Sequence, residues 1–196
     1  MENGRKLVLL SKAQIREIYQ TLIPADFPPA EIKAWRTLSD GFDEGYYEGY
    51  GYYKNDVLQA YAFLVRIEFR DECAYILDYF AVIDEFRGKG TGSGLISALK
   101  KLKEGMPLFC EADDPEYAET EEERSVRDRR VSFYKRNGFA DTGVHSRVFG
   151  CDFVNLEMTD GNVHDPETVS LIMGMMYRFY LDEQMYRKQI IFKTGN

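Results

Sequence analysis

The stretch that most constrains the fold is DYFAVIDEFRGKGTGSGLISALKKL, Asp78 to Leu102. Glycines fall at alternate positions, Gly88, Gly90, Gly92 and Gly94, between an apolar run and an amphipathic one. Before them, Ala74 to Val82 is apolar on both faces apart from Asp78, the pattern of a central strand. After them, Leu95, Leu99 and Leu102 recur at i, i+4 and i+7 with Ile96 beside them, the pattern of a helix packing one face on a sheet. A strand, a glycine turn and a helix form a cradle for phosphate. Absent side chains let a ligand approach the backbone, and the N–H groups of the first helical turn point at it. Two versions of that cradle fail in register. A P-loop needs Gly-Lys followed by Ser or Thr, and Lys89 is followed by Gly90. A dinucleotide turn needs GxGxxG, and its last position falls on Ser93 or Leu95. Taken alone, RGKGTG also suits a plain structural turn.

Around this centre the chain reads as alternating elements. Ser11 and Gln14 have capping-box spacing ahead of a short amphipathic helix, Ile15 to Leu22. Pro28 or Pro29 begins a second helix with Ile32 and Trp35 on one face. Tyr46 to Tyr53 and Val57 to Phe69 read as strands joined by a turn at Lys54-Asn55-Asp56. Pro107 to Ala112 is a short strand. Glu116 to Asn137 is a charged helix with acidic residues first and arginines later, the order a helix dipole favours, and Gly138 suits its C-terminal cap. Val144 to Val148 and Cys151 to Met158 form a last strand pair, Glu167 to Tyr180 a last helix, and Gln189 to Lys193 a short strand or tail.

Composition sets limits on function. The chain has 196 residues, enough for one substantial core and a small appendage. Its formal charge of −8 argues against a general nucleic-acid binder, which needs a basic face. It suits a cationic substrate, or simply solubility. Cys73, Cys110 and Cys151 show no CxxC spacing, and His145 and His164 stand apart from them, so neither a disulfide framework nor a metal site is expected. The apolar run in MENGRKLVLL is too short for a signal peptide and no run reaches a membrane span, so the expected location is cytoplasmic.

One pattern does fit the turn: Arg87-x-x-Gly90-x-Gly92 resembles the pyrophosphate loop of the GNAT family of N-acetyltransferases. Phe133-Tyr134-Lys-Arg-Asn137-Gly138-Phe139 is similar to that family's second hallmark, an aromatic pair on a helix followed by Gly-Phe. The resemblance covers roughly Val8 to Met158. It implies an α/β (α+β) GNAT acyl-CoA N-acyltransferase fold. That fold is a mixed, mostly antiparallel sheet with splayed central strands, flanked by helices, here with a C-terminal helical extension. The expected domains are 1–158 for the acetyltransferase and 159–196 for an extension packed on it.

The implied activity is transfer of an acetyl group from acetyl-CoA, as co-substrate, to the primary amine of a small molecule, by direct attack in a ternary complex. The alternative is a non-catalytic CoA-binding regulatory module. In the family pattern the pyrophosphate takes the backbone N–H groups of Gly88, Lys89, Gly90, Thr91, Gly92 and Ser93, with charge from Arg87 and Lys89. Phe80, Ala81 and Val82 pair with the pantetheine arm, and the Val82 N–H polarises the thioester carbonyl. The fourth and fifth strands, Ala74–Val82 and Pro107–Ala112, part to admit that arm. Tyr134 matches the acid beside the CoA sulfur. A phenol titrates near a pKa of about 10, so it is protonated at neutral pH and can donate. Two carboxylates are candidates for the base that deprotonates the amine: Asp78, flanked by apolar residues, and Glu111 on the neighbouring strand. Each also suits a structural or cation-binding role. The chain departs from the family at Arg127 and Arg130, where many members carry Asn and Ala. The arginines either bind phosphate or pair with Glu121, Glu122 and Glu123. Finally, GYYEGYGYY is either half-buried strand or an aromatic cradle for a cation. Ile172, Met173, Met176 and Tyr180 either cover the core or make the contact of a homodimer.

Overall fold

The computed structural model describes residues 4–70 and 72–194, so the outer bounds 1 and 196 of the expected domains lie outside it. The elements in chain order are β1 (Arg5–Leu9), α1 (Lys12–Thr21), α2 (Ile23–Asp26), α3 (Trp35–Glu44), β2 (Tyr47–Lys54), β3 (Val57–Phe69), β4 (Glu72–Val82) and α4 (Thr91–Leu102). They continue with β5 (Leu108–Asp113), α5 (Glu121–Arg136), β6 (Ala140–Val148), β7 (Cys151–Met158), α6 (Pro166–Arg178), α7 (Glu183–Gln189) and β8 (Ile190–Thr194). The strands hydrogen-bond in the order β1-β2-β3-β4-β5-β7-β6-β8. β2–β3 and β6–β7 pair antiparallel through hairpins, β1 pairs antiparallel with β2 across the segment that holds α1 to α3, and β4 and β5, joined by the α4 crossover, run parallel. This is the mixed, mostly antiparallel sheet expected from the sequence. Among the described residues no helix is long and apolar enough to cross a membrane.

The chain divides into two compact units. One holds the residues up to Arg66 together with Leu77–Leu102; the other holds Ile67–Ile76 and everything from Lys103 onward. In the first, β1, β2 and β3 form an antiparallel meander, with Arg5 opposite Lys54 and Tyr47 opposite Val65. The β2–β3 turn takes positive φ at both Asn55 (51°) and Asp56 (60°), as a tight two-residue hairpin requires. Helix α1 starts with the capping box legible in the sequence. The Ser11 backbone N–H donates to Gln14 Oε1 at 2.9 Å and the Gln14 N–H to Ser11 Oγ at 3.4 Å. Its buried face carries Ile15 and Ile18. The tyrosine-rich stretch is strand: Tyr47, Tyr50 and Tyr52 are all buried. Gly49 interrupts the tyrosines because Ile15 lies over it. A Cβ there would sit 2.8 Å from both Ile15 Cγ1 and Cδ1.

One expectation fails locally. No helix begins at Pro28 or Pro29; Pro29–Glu31 make a single 3-10 turn, and α3 starts only at Trp35. The reason is visible in the backbone, since Ile32 (ψ 110°) and Ala34 (ψ 141°) are extended and hold the chain open between the two.

In the second unit β5, β7, β6 and β8 pair antiparallel, with Leu108 opposite Met158 and Val148 opposite Ile190. Helix α5 is shorter than the sequence suggested. A 3-10 turn at Pro115–Tyr117 precedes it, and Thr120 caps it by accepting from the Glu123 N–H at 3.1 Å. Gly138, at φ 94°, ends it. Helix α6 buries Val169, Ile172, Met173, Met176 and Tyr177, so Met173 and Met176 belong to the core. Gln189–Lys193, read as strand or tail, is largely β8, paired on β6.

Gly49→Ala is expected to lower stability by about 1–3 kcal/mol, because Ile15 is fully enclosed and cannot simply swing aside. The shift in urea midpoint measures it; an unchanged midpoint would mean that α1 retreats freely from β2.

Candidate active site

The glycine turn lies in the first unit. Beyond β4, Asp84–Phe86 form a 3-10 turn that delivers the chain to Arg87. Gly88 and Gly90 take φ of 71° and 73°, the left-handed region, and a Cβ added to either would meet nothing within 4 Å. The glycines are therefore required by the backbone and leave open space above it. Helix α4 begins at Thr91, and the Gly94 N–H donates to the Gly90 carbonyl at 3.0 Å. The N–H groups of Thr91, Gly92 and Ser93 precede that bond and have no acceptor within the helix. The arrangement suits an anion at the N-terminus of α4.

Arg87 and Lys89 build the turn. The Arg87 Nε donates to the Val82 carbonyl at 2.9 Å, and its two terminal nitrogens pair with Asp26 (3.0 Å) and Asp84 (2.7 Å). Asp26 in turn accepts from the Tyr61 hydroxyl at 2.8 Å. Burial, and then the bond to Asp26, push the Tyr61 phenol well above its ordinary value, so it remains a donor. Lys89 donates to the Glu85 carbonyl at 2.7 Å. From β1, Arg5 donates to Gln59 at 2.8 Å and to the Thr91 hydroxyl at 3.3 Å, tying the start of α4 to the far edge of the meander. Neither Asp26 nor Arg5 was legible as a partner, since each lies more than 50 residues from the group it holds.

Asp78 lies on β4 with Phe80 and Val82 on the partly exposed face, while Tyr79 and Ala81 are buried on the other. Its Oδ1 pairs with Lys33 Nζ at 2.5 Å, with only 5% of the Asp78 side chain and 18% of the Lys33 side chain exposed. Its Oδ2 is buried without a hydrogen-bond partner. The Lys33 ammonium stands 5.3 Å from the centre of the Tyr79 ring. The sequence reading surrounded Asp78 with apolar residues alone and missed Lys33, which no motif marks.

The second unit holds the other candidates. Tyr134 is buried on α5 between Phe133 and Phe139, with ring centroids 5.5 and 5.3 Å away in edge-on geometry. Burial and the neighbouring Cys110 raise its phenol well above the usual value, while Arg130 pulls the other way, so the hydroxyl stays protonated. Glu111, on β5, accepts from the Ser146 hydroxyl at 2.7 Å and from the Tyr177 hydroxyl, so both carboxylate oxygens are engaged. The sequence pointed to neither partner. Of the arginines, Arg127 pairs with Glu123 at 2.6 Å, one of the two alternatives the sequence left open, and also donates to the Asp114 carbonyl at 2.7 Å. Arg130 pairs with Asp113 on β5. His145 Nδ1 lies 2.7 Å from Asp114 Oδ2, and His164 Nδ1 lies 2.7 Å from Glu157 Oε1.

Residues 46–141 match the family model described as an acetyltransferase (GNAT) domain. That stretch of the chain belongs to the GNAT acetyltransferase family, and it contains both sequence hallmarks. Solved structures agree on the fold. A GNAT-family protein from Bacteroides thetaiotaomicron superposes with a TM-score of 0.69 at 16% identity, over 90% of this chain and 99% of that one. A GNAT family acetyltransferase from Elizabethkingia anophelis with acetyl-CoA bound gives 0.56 at 16% identity, over 81% and 99%. A single-site mutant of the spermidine N-acetyltransferase from Vibrio cholerae gives 0.58 at 13% identity, over 80% and 94%. No curated protein matches the chain.

Gly90→Ala is expected to destabilise the chain by about 1–2 kcal/mol through left-handed strain alone, since the added methyl meets no neighbour. Thermal unfolding reads it out; an unshifted midpoint would mean the turn relaxes to negative φ.

Proposed function

We propose that this chain is an N-acetyltransferase that moves the acetyl group of acetyl-CoA to a primary amine of a small molecule, by direct attack within a ternary complex. The observation that carries the reading is the turn itself: left-handed Gly88 and Gly90, open space above both, and a helix N-terminus behind them. The bound acetyl-CoA of the Elizabethkingia anophelis structure and the spermidine acceptor named for the Vibrio cholerae enzyme support the choice of co-substrate and of acceptor class.

In this reading the backbone of Gly88 to Ser93 takes the diphosphate, and Arg87 and Lys89 hold the loop in shape for it. The backbone of Phe80, Ala81 and Val82 takes the pantetheine arm, with the Val82 N–H polarising the thioester carbonyl. Tyr134, which burial keeps protonated, is the donor to the departing thiolate. Asp78 is preferred over Glu111 as the base. Its Oδ2 has no hydrogen-bond partner, whereas both oxygens of Glu111 accept from hydroxyl groups. The acetyltransferase domain spans 1–158, and 159–196 is an extension packed on it, in keeping with the face α6 buries. A cytoplasmic setting completes the proposal.

Two measurements test it. Calorimetry with acetyl-CoA should show binding, and CoA release with a panel of primary amines should show turnover. Binding without turnover for any amine would favour a non-catalytic CoA-binding module, and no binding would end both readings. Tyr134→Phe is expected to lower kcat by about 10²-fold or more while the Kd for acetyl-CoA changes little. Unchanged turnover would remove Tyr134 from the chemistry.

A further inference from the structure

Helix α5 is exposed along almost its whole length. Of its 16 residues only Tyr134 is buried. A helix polar on nearly every side depends on ion pairs or on a neighbour. Three of its cations are paired: Arg127 with Glu123, Arg130 with Asp113 and Lys135 with Asp141. Away from them, Glu121, Ser125, Asp128, Arg129, Ser132 and Arg136 form one exposed stripe along a shallow groove of about 310 Å³. At about 100° per residue, the centre of that stripe lies on the side of the helix opposite Tyr134. Among the described residues, none of its four charged side chains makes an ion pair.

The stripe is symmetric about its own middle. Ser125-Val126-Arg127-Asp128 and Arg129-Arg130-Val131-Ser132 read nearly the same in opposite directions, and the one mismatch sets Asp128 against Arg129. Two copies of α5 laid antiparallel, about a twofold axis between residues 128 and 129, bring Glu121 level with Arg136, Ser125 with Ser132 and Asp128 with Arg129. Every member of the stripe then meets another member, as an isologous contact requires. Each charge meets its opposite, and the serines are small enough to let the two helices approach closely. A parallel pairing would instead set Glu121 against Glu121 and Arg129 against Arg129, so charge selects the antiparallel arrangement. Arg127 and Arg130, which would lie level with each other, are already engaged by Glu123 and Asp113. Helix α6, by contrast, spends Ile172, Met173 and Met176 on the core. We propose that this face of α5 is the contact of a homodimer, made with the same face of a second copy. Exposed ion pairs are individually weak and screened by salt, so the dimer is of low affinity and salt-sensitive. Tyr134 stays uncovered by it, and the contact stands whether or not the chain transfers acetyl groups.

Sedimentation equilibrium of the purified full chain, over a series of protein and salt concentrations, is the test. At low salt a concentration-dependent balance of monomer and dimer is expected. Raising the salt from about 0.05 M to about 0.5 M is expected to raise the dissociation constant about 10-fold or more. Arg129→Glu is expected to leave only monomer, because it puts like charges at both central levels of the contact. The double variant Asp128→Arg with Arg129→Asp exchanges the two signs and is expected to restore the dimer. Both positions are exposed, so the thermal midpoint of each variant should match wild type. Wild type that stays monomeric at low salt up to the highest concentration reached would overturn the proposal. A dimer that persists in Arg129→Glu, or that ignores salt, would place the contact elsewhere and overturn it as well. So would a double variant that stays monomeric, since it restores every opposite-charge pair of the contact. The wild-type series stands even where a variant fails to fold.

Discussion

The guanidinium of Arg87 is the tie on which the glycine turn depends. A chain that leaves a strand, passes two left-handed glycines and enters a helix has little side-chain mass to hold its shape. Arg87 supplies the missing restraint by binding the Val82 carbonyl behind it, Asp84 beside it and Asp26 across from it. A half-exposed ion pair is worth only about 0.2–1 kcal/mol. Its value here is geometric: a planar fork with several fixed donors sets direction as well as distance, which a lysine does not. The buried Tyr61–Asp26 hydrogen bond fixes the acid that Arg87 meets. The backbone amides of the turn therefore stay oriented in the absence of any ligand, and a ligand that uses them meets donors already in place.

The second unit solves a different problem, that of polar groups enclosed among apolar ones. Ser146 accepts from the Asn155 amide and donates to Glu111, Tyr177 donates to the same carboxylate, and Thr142 donates to the Asn155 carbonyl. Each hydroxyl here answers a carboxylate or amide that would otherwise cost about 1–3 kcal/mol to leave unsatisfied. Tyr177 belongs to α6, so the segment beyond residue 158 supplies part of this network. Glu111 is held by two donors, and Asp78 by one lysine with an oxygen to spare. That contrast in hydrogen bonding separates two acids that look equivalent in the sequence.

Legibility followed distance along the chain. The capping box at Ser11, the hairpin at Asn55-Asp56, the helix after the glycines and the terminator at Gly138 all appeared where local chemistry pointed. Each depends on residues within a few positions of one another. The second helix was misplaced for the same reason in reverse. Pro28 and Pro29 are good helix starters, but the extended backbone at Ile32 and Ala34 delays the helix to Trp35. There Tyr19 and Tyr79 fasten the Lys33 peptide across 14 and 46 residues of sequence. Helix α7 and strand β1 left no periodic signal strong enough to be read.

From the sequence alone came the family of the core, the glycine turn with its helix, and the aromatic pair at Phe133-Tyr134, because these are matters of short-range spacing and of residues the backbone cannot do without. Tertiary structure decided which charges meet. Lys33 with Asp78, Arg87 with Asp26, Arg130 with Asp113, and Tyr177 with Glu111 join residues 17 to 66 positions apart. Side-chain electrostatics act over a few ångströms of space, and only the folded chain sets which residues come within that range.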